Sequence, residues 1–401
     1  MLRLKISQRS RVVIASPIRK FISLVRQAEE QGVRVYKLNV GDPDLATPPQ
    51  FWHALRAYQP KTLNYAPSPG ISEHVQAWAA YYASFGIKLT PAQILPTVGG
   101  AEAIMFALLA VTDPGDEVLV FEPLYSSYKG FAAMYNIKLV PLTLRVDNNF
   151  ALPQTREIAR HISRRTKAII VVNPNNPTGS CLTPAEHKRL LKIAERYRLF
   201  IIADETYREI VFQKRPVSFL KFPGAANHVI VVDSASKRFS LPGARIGCLA
   251  SRNPEVMDAA LRFAMTRLSA PTLEQYGLIP LLMRPKGFTR AVTREYELRR
   301  NLVWRELQKI PGVTCYKPEG AFYLIAKLPV ANAEKFVKWL ITDFRDHGAT
   351  ILVTPAEDFY LTPGLGKHEI RLAYVLARPH LKRALSLLAK GLRAYAKRDD
   401  T

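Results

Sequence analysis

Ser234-Ala235-Ser236-Lys237-Arg238-Phe239-Ser240-Leu241-Pro242-Gly243-Ala244-Arg245 follows directly on an apolar, β-branched run, Val229-Ile230-Val231-Val232. The run reads as a buried strand. Lys237 therefore stands just past the end of a strand, between two small hydroxyl residues and an arginine eight positions downstream. Low dielectric disfavours an ammonium ion, so a lysine placed there loses part of its charge. A neutral amine attacks aldehydes and holds them as Schiff bases. The hydroxyls of Ser234 and Ser236 and the fork of Arg245 suit a phosphate on the same molecule. Aldehyde and phosphate together describe pyridoxal 5′-phosphate. Taken alone, Ser-x-Ser-Lys reads more readily as a solvated loop, and the rest of the chain has to decide.

Outward from this stretch, short apolar strands alternate with helical patterns. The strands are predicted at Glu117–Phe121, Ala168–Val172, Phe200–Ala203, Val229–Val232 and Ile246–Ala250; helices are predicted at Ala101–Val111, Ser127–Met134 and Pro184–Tyr197. This order predicts an α/β fold: a mostly parallel sheet sandwiched by helices, with ligands at the carboxyl ends of its strands. The last third breaks the alternation. A helix is predicted over about 290–307, strands at Tyr323–Ala326 and Ile370–Tyr374, and closing helices at Ala333–Phe344 and Arg378–Ala396. The expected organisation is a large domain over 49–289 and a smaller α/β domain over 290–401, the latter joined by the segment 1–48.

With 401 residues, 48% of them apolar, the chain can bury a sizeable core. No run of eighteen apolar residues occurs, so no membrane span is expected. Cys181, Cys248 and Cys315 lack metal-ligand or redox spacing, so no metal is expected; they read as small hydrophobes in a reducing compartment. The net charge of +24 suits either a polyanionic partner or a basic surface that attracts anionic substrates. The basic residues are dispersed and no nucleic-acid module signature appears, which favours the second reading. Residues 1–28 carry seven Lys/Arg and no acid, as a transit peptide does. Yet Pro17–Val25 runs into Ala28-Glu29-Glu30 as a folded amphipathic helix would, so the segment reads as part of a mature cytoplasmic protein.

Five further segments carry chemistry. Asn173-Pro174-Asn175-Asn176-Pro177-Thr178-Gly179 follows a strand and either aims an asparagine into a cleft or makes a tight β–α connection. Asp204-Glu205-Thr206-Tyr207 puts a carboxylate at a strand end, where it pairs with a ring nitrogen or caps the next turn. Gly99 and Gly100 open a helix at Ala101, a weak phosphate signal. Tyr125, also after a strand, either stacks on a flat ring or is an ordinary half-buried tyrosine. Arg371, inside the apolar run Ile370-Arg371-Leu372-Ala373-Tyr374, requires a partner: a substrate carboxylate or a structural acid.

In this order, these segments resemble the class I/II aminotransferases, fold-type I pyridoxal-phosphate enzymes, over nearly the whole chain. Asn39-Val40-Gly41-Asp42-Pro43 and Tyr65-Ala66-Pro67-Ser68-Pro69-Gly70 are similar to the family's N-terminal motifs. Pro318-Glu319-Gly320-Ala321-Phe322-Tyr323, Asp358-Phe359-Tyr360 and Thr362-Pro363-Gly364-Leu365-Gly366 resemble a bacterial branch often assigned to aspartate. The resemblance implies that Lys237 binds the cofactor covalently and that Asp204 pairs with the pyridinium nitrogen. It implies that Tyr207 and Asn176 contact the ring oxygen and Tyr125 stacks on the ring. The phosphate falls to Ser234, Ser236 and Arg245 with the backbone at Gly99, Gly100 and Ala101. Arg371, Asn176, Tyr125 and Gly41 take the substrate, and Tyr65 reaches the phosphate of a partner subunit, implying a homodimer with shared sites. Position 101 departs from the family's usual Ser or Thr.

Three functions follow: a transaminase for L-aspartate or L-glutamate with 2-oxoglutarate; an aromatic or alanine aminotransferase, or a carbon–sulfur lyase, of the same fold; and a DNA-binding regulator that senses the cofactor. No helix-turn-helix pattern appears in residues 1–26, which weighs against the third. For the distal carboxylate of a dicarboxylic substrate, Arg19, Lys20, Arg238 and Arg267 are all candidates, and spacing does not choose among them.

Overall fold

Apolar runs between helices form the strands of the computed structural model, which describes residues 5–13, 16–213, 217–283 and 286–399. Of the N-terminal segment 1–48, residues 1–4, 14 and 15 lie outside the described residues. In chain order the strands are β1 (Arg34–Lys37), β2 (Ile94–Thr97), β3 (Glu117–Glu122), β4 (Lys138–Thr143), β5 (Thr166–Val172), β6 (Phe200–Asp204), β7 (Val229–Ser234), β8 (Gly247–Ser251), β9 (Thr314–Cys315), β10 (Tyr323–Lys327), β11 (Ala349–Leu352), β12 (Thr354–Pro355) and β13 (Glu369–Ala373).

The large sheet has seven strands in the order β2-β8-β7-β6-β5-β3-β4. β4, β3, β5, β6 and β7 pair in parallel, while β8 runs antiparallel to both β7 and β2. In β5 to β7 the side chains alternate between two core layers. Ile169, Val171, Ile201, Ala203, Val229 and Val231 belong to one; Ala168, Ile170, Ile202, Ile230 and Val232 belong to the other. Helices cover both faces, so these strands read as unbroken apolar runs.

Two strands of this sheet are absent from the sequence reading, and both lie at its edges. β2 contains Pro96 and β4 contains Pro141. Proline cannot donate to a central ladder, and at an edge it also blunts pairing with another chain. The antiparallel direction of β8 was also not read: residues 235–246 between β7 and β8 hold only a one-turn helix and a 3₁₀ turn, too little for a parallel crossover. Helix Pro184–Tyr197 has the predicted bounds because its start is written locally. Thr183 and Glu186 form a capping box and Pro184 occupies the first turn.

The remaining strands form an antiparallel sheet, β12-β13-β10-β9, and a parallel pair, β1 with β11. Phe21, Val25, Tyr36 and Leu38 share a core with Phe322, Leu340, Ile351 and Leu388. This part is tied to the large sheet near the strand ends. Gly179 O accepts from Glu319 N and Gly320 N, at 2.8 and 3.0 Å, and Leu124 N donates to Phe359 O at 2.8 Å. The order of strands reverses between β3 and β5, which opens a crevice at their carboxyl ends. Among the described residues no helix is long and apolar enough to cross a membrane.

Candidate active site

At those carboxyl ends lies a cavity of about 560 Å³. Gly41, Gly100, Ala101, Tyr125, Asn176, Asp204, Tyr207, Ser234, Ser236, Lys237, Arg245 and Arg371, all singled out from sequence, line it. Gly99 and Tyr65 do not. Gly99 is buried beneath the wall at the start of helix Gly99–Val111, and Tyr65 is 81% exposed elsewhere on the chain.

Ser234 ends β7, and its hydroxyl accepts from Ser236 N at 3.2 Å, starting the one-turn helix Ala235–Arg238 that carries Lys237. The amine of Lys237 donates to Gly41 O at 2.7 Å. Burial, helped by the charges of Arg371 and Arg245 against that of Asp42, lowers its pKa from 10.5 to about 8. Its neighbour Arg238 faces the other way, into a buried ionic cluster with Asp233, Glu209 and Tyr81. Arg208 joins that cluster, 3.2 Å from Asp233 and 3.2 Å from Glu205.

Asp204 closes β6 and is 6% exposed. The hydroxyl of Tyr128 donates to its Oδ2 at 2.8 Å, and Thr206 N donates to its Oδ1 at 3.1 Å. Burial nonetheless raises its pKa. Among the described residues no cation forms an ion pair with it. Asp204 thus caps the turn and lines the cavity with one side chain.

In the loop after β5, Asn173 and Asn175 are spent on local structure. Asn173 Oδ1 accepts from Leu182 N at 2.9 Å, and Asn175 Oδ1 accepts from Thr178 N at 3.1 Å. Asn176 is left to face the cavity, where its Oδ1 accepts from Arg371 at 3.2 Å. Arg371 is fully buried. It also donates to Asn39 O and lies 4.6 Å over the Tyr323 ring and 4.9 Å over the Phe359 ring. Among the described residues no acid pairs with it, and its Nε has no partner. A buried guanidinium without a counter-charge is costly, and burial lowers its pKa.

Glu102 accepts from Val98 N at 2.9 Å, but among the described residues no side chain accepts from the N–H groups of Gly99, Gly100 or Ala101, which remain available to an anion. Gly99 has φ +71°, and a Cβ there would lie 2.6 Å from a guanidinium nitrogen of Arg245. At Gly41 an added Cβ would collide with the Tyr323 hydroxyl. Sequence reasoning missed Tyr128, Thr206, Asn39 and Tyr323. Tyr323 lay in a quoted motif without a role, and its hydroxyl is 2.9 Å from that of Tyr207. Tyr128 sits 76 positions from Asp204, and nothing local announces the bond.

A lysine of lowered pKa, a buried carboxylate without a cation, an uncapped helix start beside an arginine and a second arginine without an acid all face one cavity. This donor set fits an aldehyde-bearing, cationic-ring phosphate. The family profile of aminotransferase class I and II matches residues 33–388. The chain belongs to that family.

As a class I and II aminotransferase it depends on pyridoxal 5′-phosphate. The chain is similar to aspartate aminotransferase of Pyrococcus horikoshii, 29% identical over 96% of this chain and 97% of the relative. It is 30% identical to aromatic-amino-acid aminotransferase 2 of Thermococcus litoralis, over 97% and 98%. Aspartate aminotransferase of Thermus thermophilus, solved with maleate, superposes with a TM-score of 0.88 at 27% identity, covering 97% of this chain and 100% of that one.

Proposed function

We propose that this transaminase moves the amino group of L-aspartate or L-glutamate to a 2-oxo acid such as 2-oxoglutarate, in two half-reactions of a ping-pong cycle. The observation that carries the reading is Arg371: a fully buried guanidinium, facing the same cavity as Lys237, with no acid of its own among the described residues. When bound, the cofactor supplies an aldehyde and a ring that delocalises charge from the substrate α-carbon. In this reading Arg371 grips the substrate α-carboxylate, with Asn176 and the backbone of Gly41 beside it. Lys237 Nζ would hold the cofactor's aldehyde and, as a neutral amine, would take the proton from the substrate α-carbon as general base and give it back as general acid. Asp204 keeps the ring nitrogen protonated, held in orientation by Tyr128 and Thr206. Tyr207 and Asn176 contact the ring oxygen, and Tyr125 covers the ring face. Ser234, Ser236, Arg245 and the N–H groups of Gly100 and Ala101 hold the phosphate, with Gly99 giving the backbone its turn. Tyr65, exposed on its own chain, serves the phosphate of a second copy in a cytoplasmic homodimer.

A half-reaction screen tests the substrate: holoenzyme is mixed with each amino acid and loss of the bound-cofactor absorbance is followed. Fast loss with L-aspartate or L-glutamate is expected; a response confined to other amino acids rejects the assignment. The Thermococcus relative's name favours an aromatic substrate as the second reading.

Two further outcomes are expected of the cofactor site. The amine of Lys237 is protonated below its pKa of about 8 and neutral above it. The rate at which cofactor-free protein captures pyridoxal phosphate therefore rises about tenfold per pH unit below that value and levels off above it. A rate that goes on rising about tenfold per unit from roughly pH 8.5 to 10 contradicts the lowered pKa. The folded amine titrates below the ordinary 10.5, so its burial costs stability fully below pH 8, and the cost fades as pH rises towards 10.5. At position 101 the phosphate lacks a hydroxyl partner. Ala101→Ser should tighten cofactor binding by roughly tenfold, about 1.5 kcal/mol for one hydrogen bond to a charged group. Equilibrium dialysis measures it, and an unchanged Kd refutes it.

A further inference from the structure

We infer that Arg19 is a specificity-determining residue whose guanidinium binds the distal carboxylate of a dicarboxylic substrate. The inference rests on the transaminase reading and deepens it. Of the four basic candidates, three are already engaged. Lys20 pairs with Glu334 at 2.6 Å and with Asp358 at 3.8 Å. Arg238 is buried against Asp233 and Glu209. Arg267 pairs with Glu102 at 3.2 Å and donates to Pro96 O at 3.2 Å. Arg19 lines the cavity together with Ser16 and Ile18, and among the described residues no carboxylate lies within ion-pair distance of it.

Its placement is set by the fold. Pro17 opens the 3₁₀ turn Pro17–Arg19, and Arg19 N donates to Ser16 O at 3.1 Å. Asn39 joins this turn to the other end of the substrate: its Nδ2 donates to Ile18 O at 2.9 Å, while its carbonyl oxygen accepts from Arg371. One residue therefore spaces two guanidiniums that face the same cavity. Arg245, the third cavity arginine, is turned to Pro242 O at 3.0 Å and Val98 O at 3.5 Å, beside the helix start. Two acids also line the cavity: Asp204, held by Tyr128 and Thr206, and Asp42, which is exposed and within ion-pair distance of neither Arg19 nor Arg371.

Arg19 is exposed where it lines the cavity, and a guanidinium fork there favours a planar anion. A neutral or aromatic side chain there would leave the charge unpaired. The two arginines thus select amino acids with a carboxylate at each end.

The test uses holoenzyme and the variants Arg19→Ala and Arg19→Lys. In Arg19→Ala the ratio of kcat/KM for L-aspartate to that for L-alanine should fall about 10- to 100-fold, and Kd for maleate, read from the bound-cofactor absorbance, should rise by a similar factor. Arg19→Lys should recover part of both. A wild type active on L-aspartate or L-glutamate, with ratio and Kd in Arg19→Ala within about threefold of it, overturns the role of Arg19 alone. A wild type inert to both amino acids overturns the dicarboxylic assignment and this role with it.

Discussion

Lys237→Ala should fold and lose transamination, with the half-reaction rate falling by at least about 10⁴-fold. Among the described residues the cavity offers no substitute amine: its other cationic side chains are Arg19, Arg245 and Arg371, and guanidinium groups do not deprotonate in proteins. The one-turn helix does not need the lysine side chain. Phe239 N bonds Ala235 O at 3.2 Å and Leu241 N bonds Ser236 O at 3.1 Å. Stopped-flow mixing with L-glutamate measures the rate. Borohydride reduction followed by peptide mass mapping should find cofactor at residue 237 in the wild type and none in the variant. Near-native turnover would assign the covalent chemistry to another residue.

Asp204→Asn is the second large effect, a fall in kcat of about 10²–10³-fold, the size seen when one preorganised electrostatic partner of a transition state is removed. The substitution keeps the shape and one acceptor for Thr206 N. It removes the charge that burial has already made costly. The Tyr128 hydroxyl can rotate to accept from the new amide, so the fold should survive, as an unchanged melting curve would verify. A kcat within about fivefold of wild type would show that the ring needs no anion at this position.

Legibility differed from element to element for physical reasons. β5, β6 and β7 are covered on both faces, so their apolar runs are continuous and local. β2 and β4 carry prolines and sit at the edges, where pairing depends on distant strands rather than on their own composition. In the site, Lys237, Asp204, Asn176 and Arg371 each stand out against an apolar or turn-rich background. Tyr128, Asn39 and Thr206 act by hydrogen-bonding those residues, and an ordinary tyrosine on a helix carries no mark of a partner 76 positions away. Gly99 illustrates the converse: it was legible as a helix opener, but it supports the cavity wall from beneath.

The central strands β3, β5, β6 and β7, the helix Pro184–Tyr197 and the chemical types of the site residues were determined by the sequence itself, because propensity, capping and apolar patterning act within a few residues. Which cations are free was decided only by the tertiary structure. Arg19, Lys20, Arg238 and Arg267 are equivalent as letters. Long-range contacts with Glu334, Asp233 and Glu102 neutralise three of them, and Arg19 alone faces the cavity without an acid among the described residues. Charge pairing falls off over a few ångströms in space, whatever the separation along the chain.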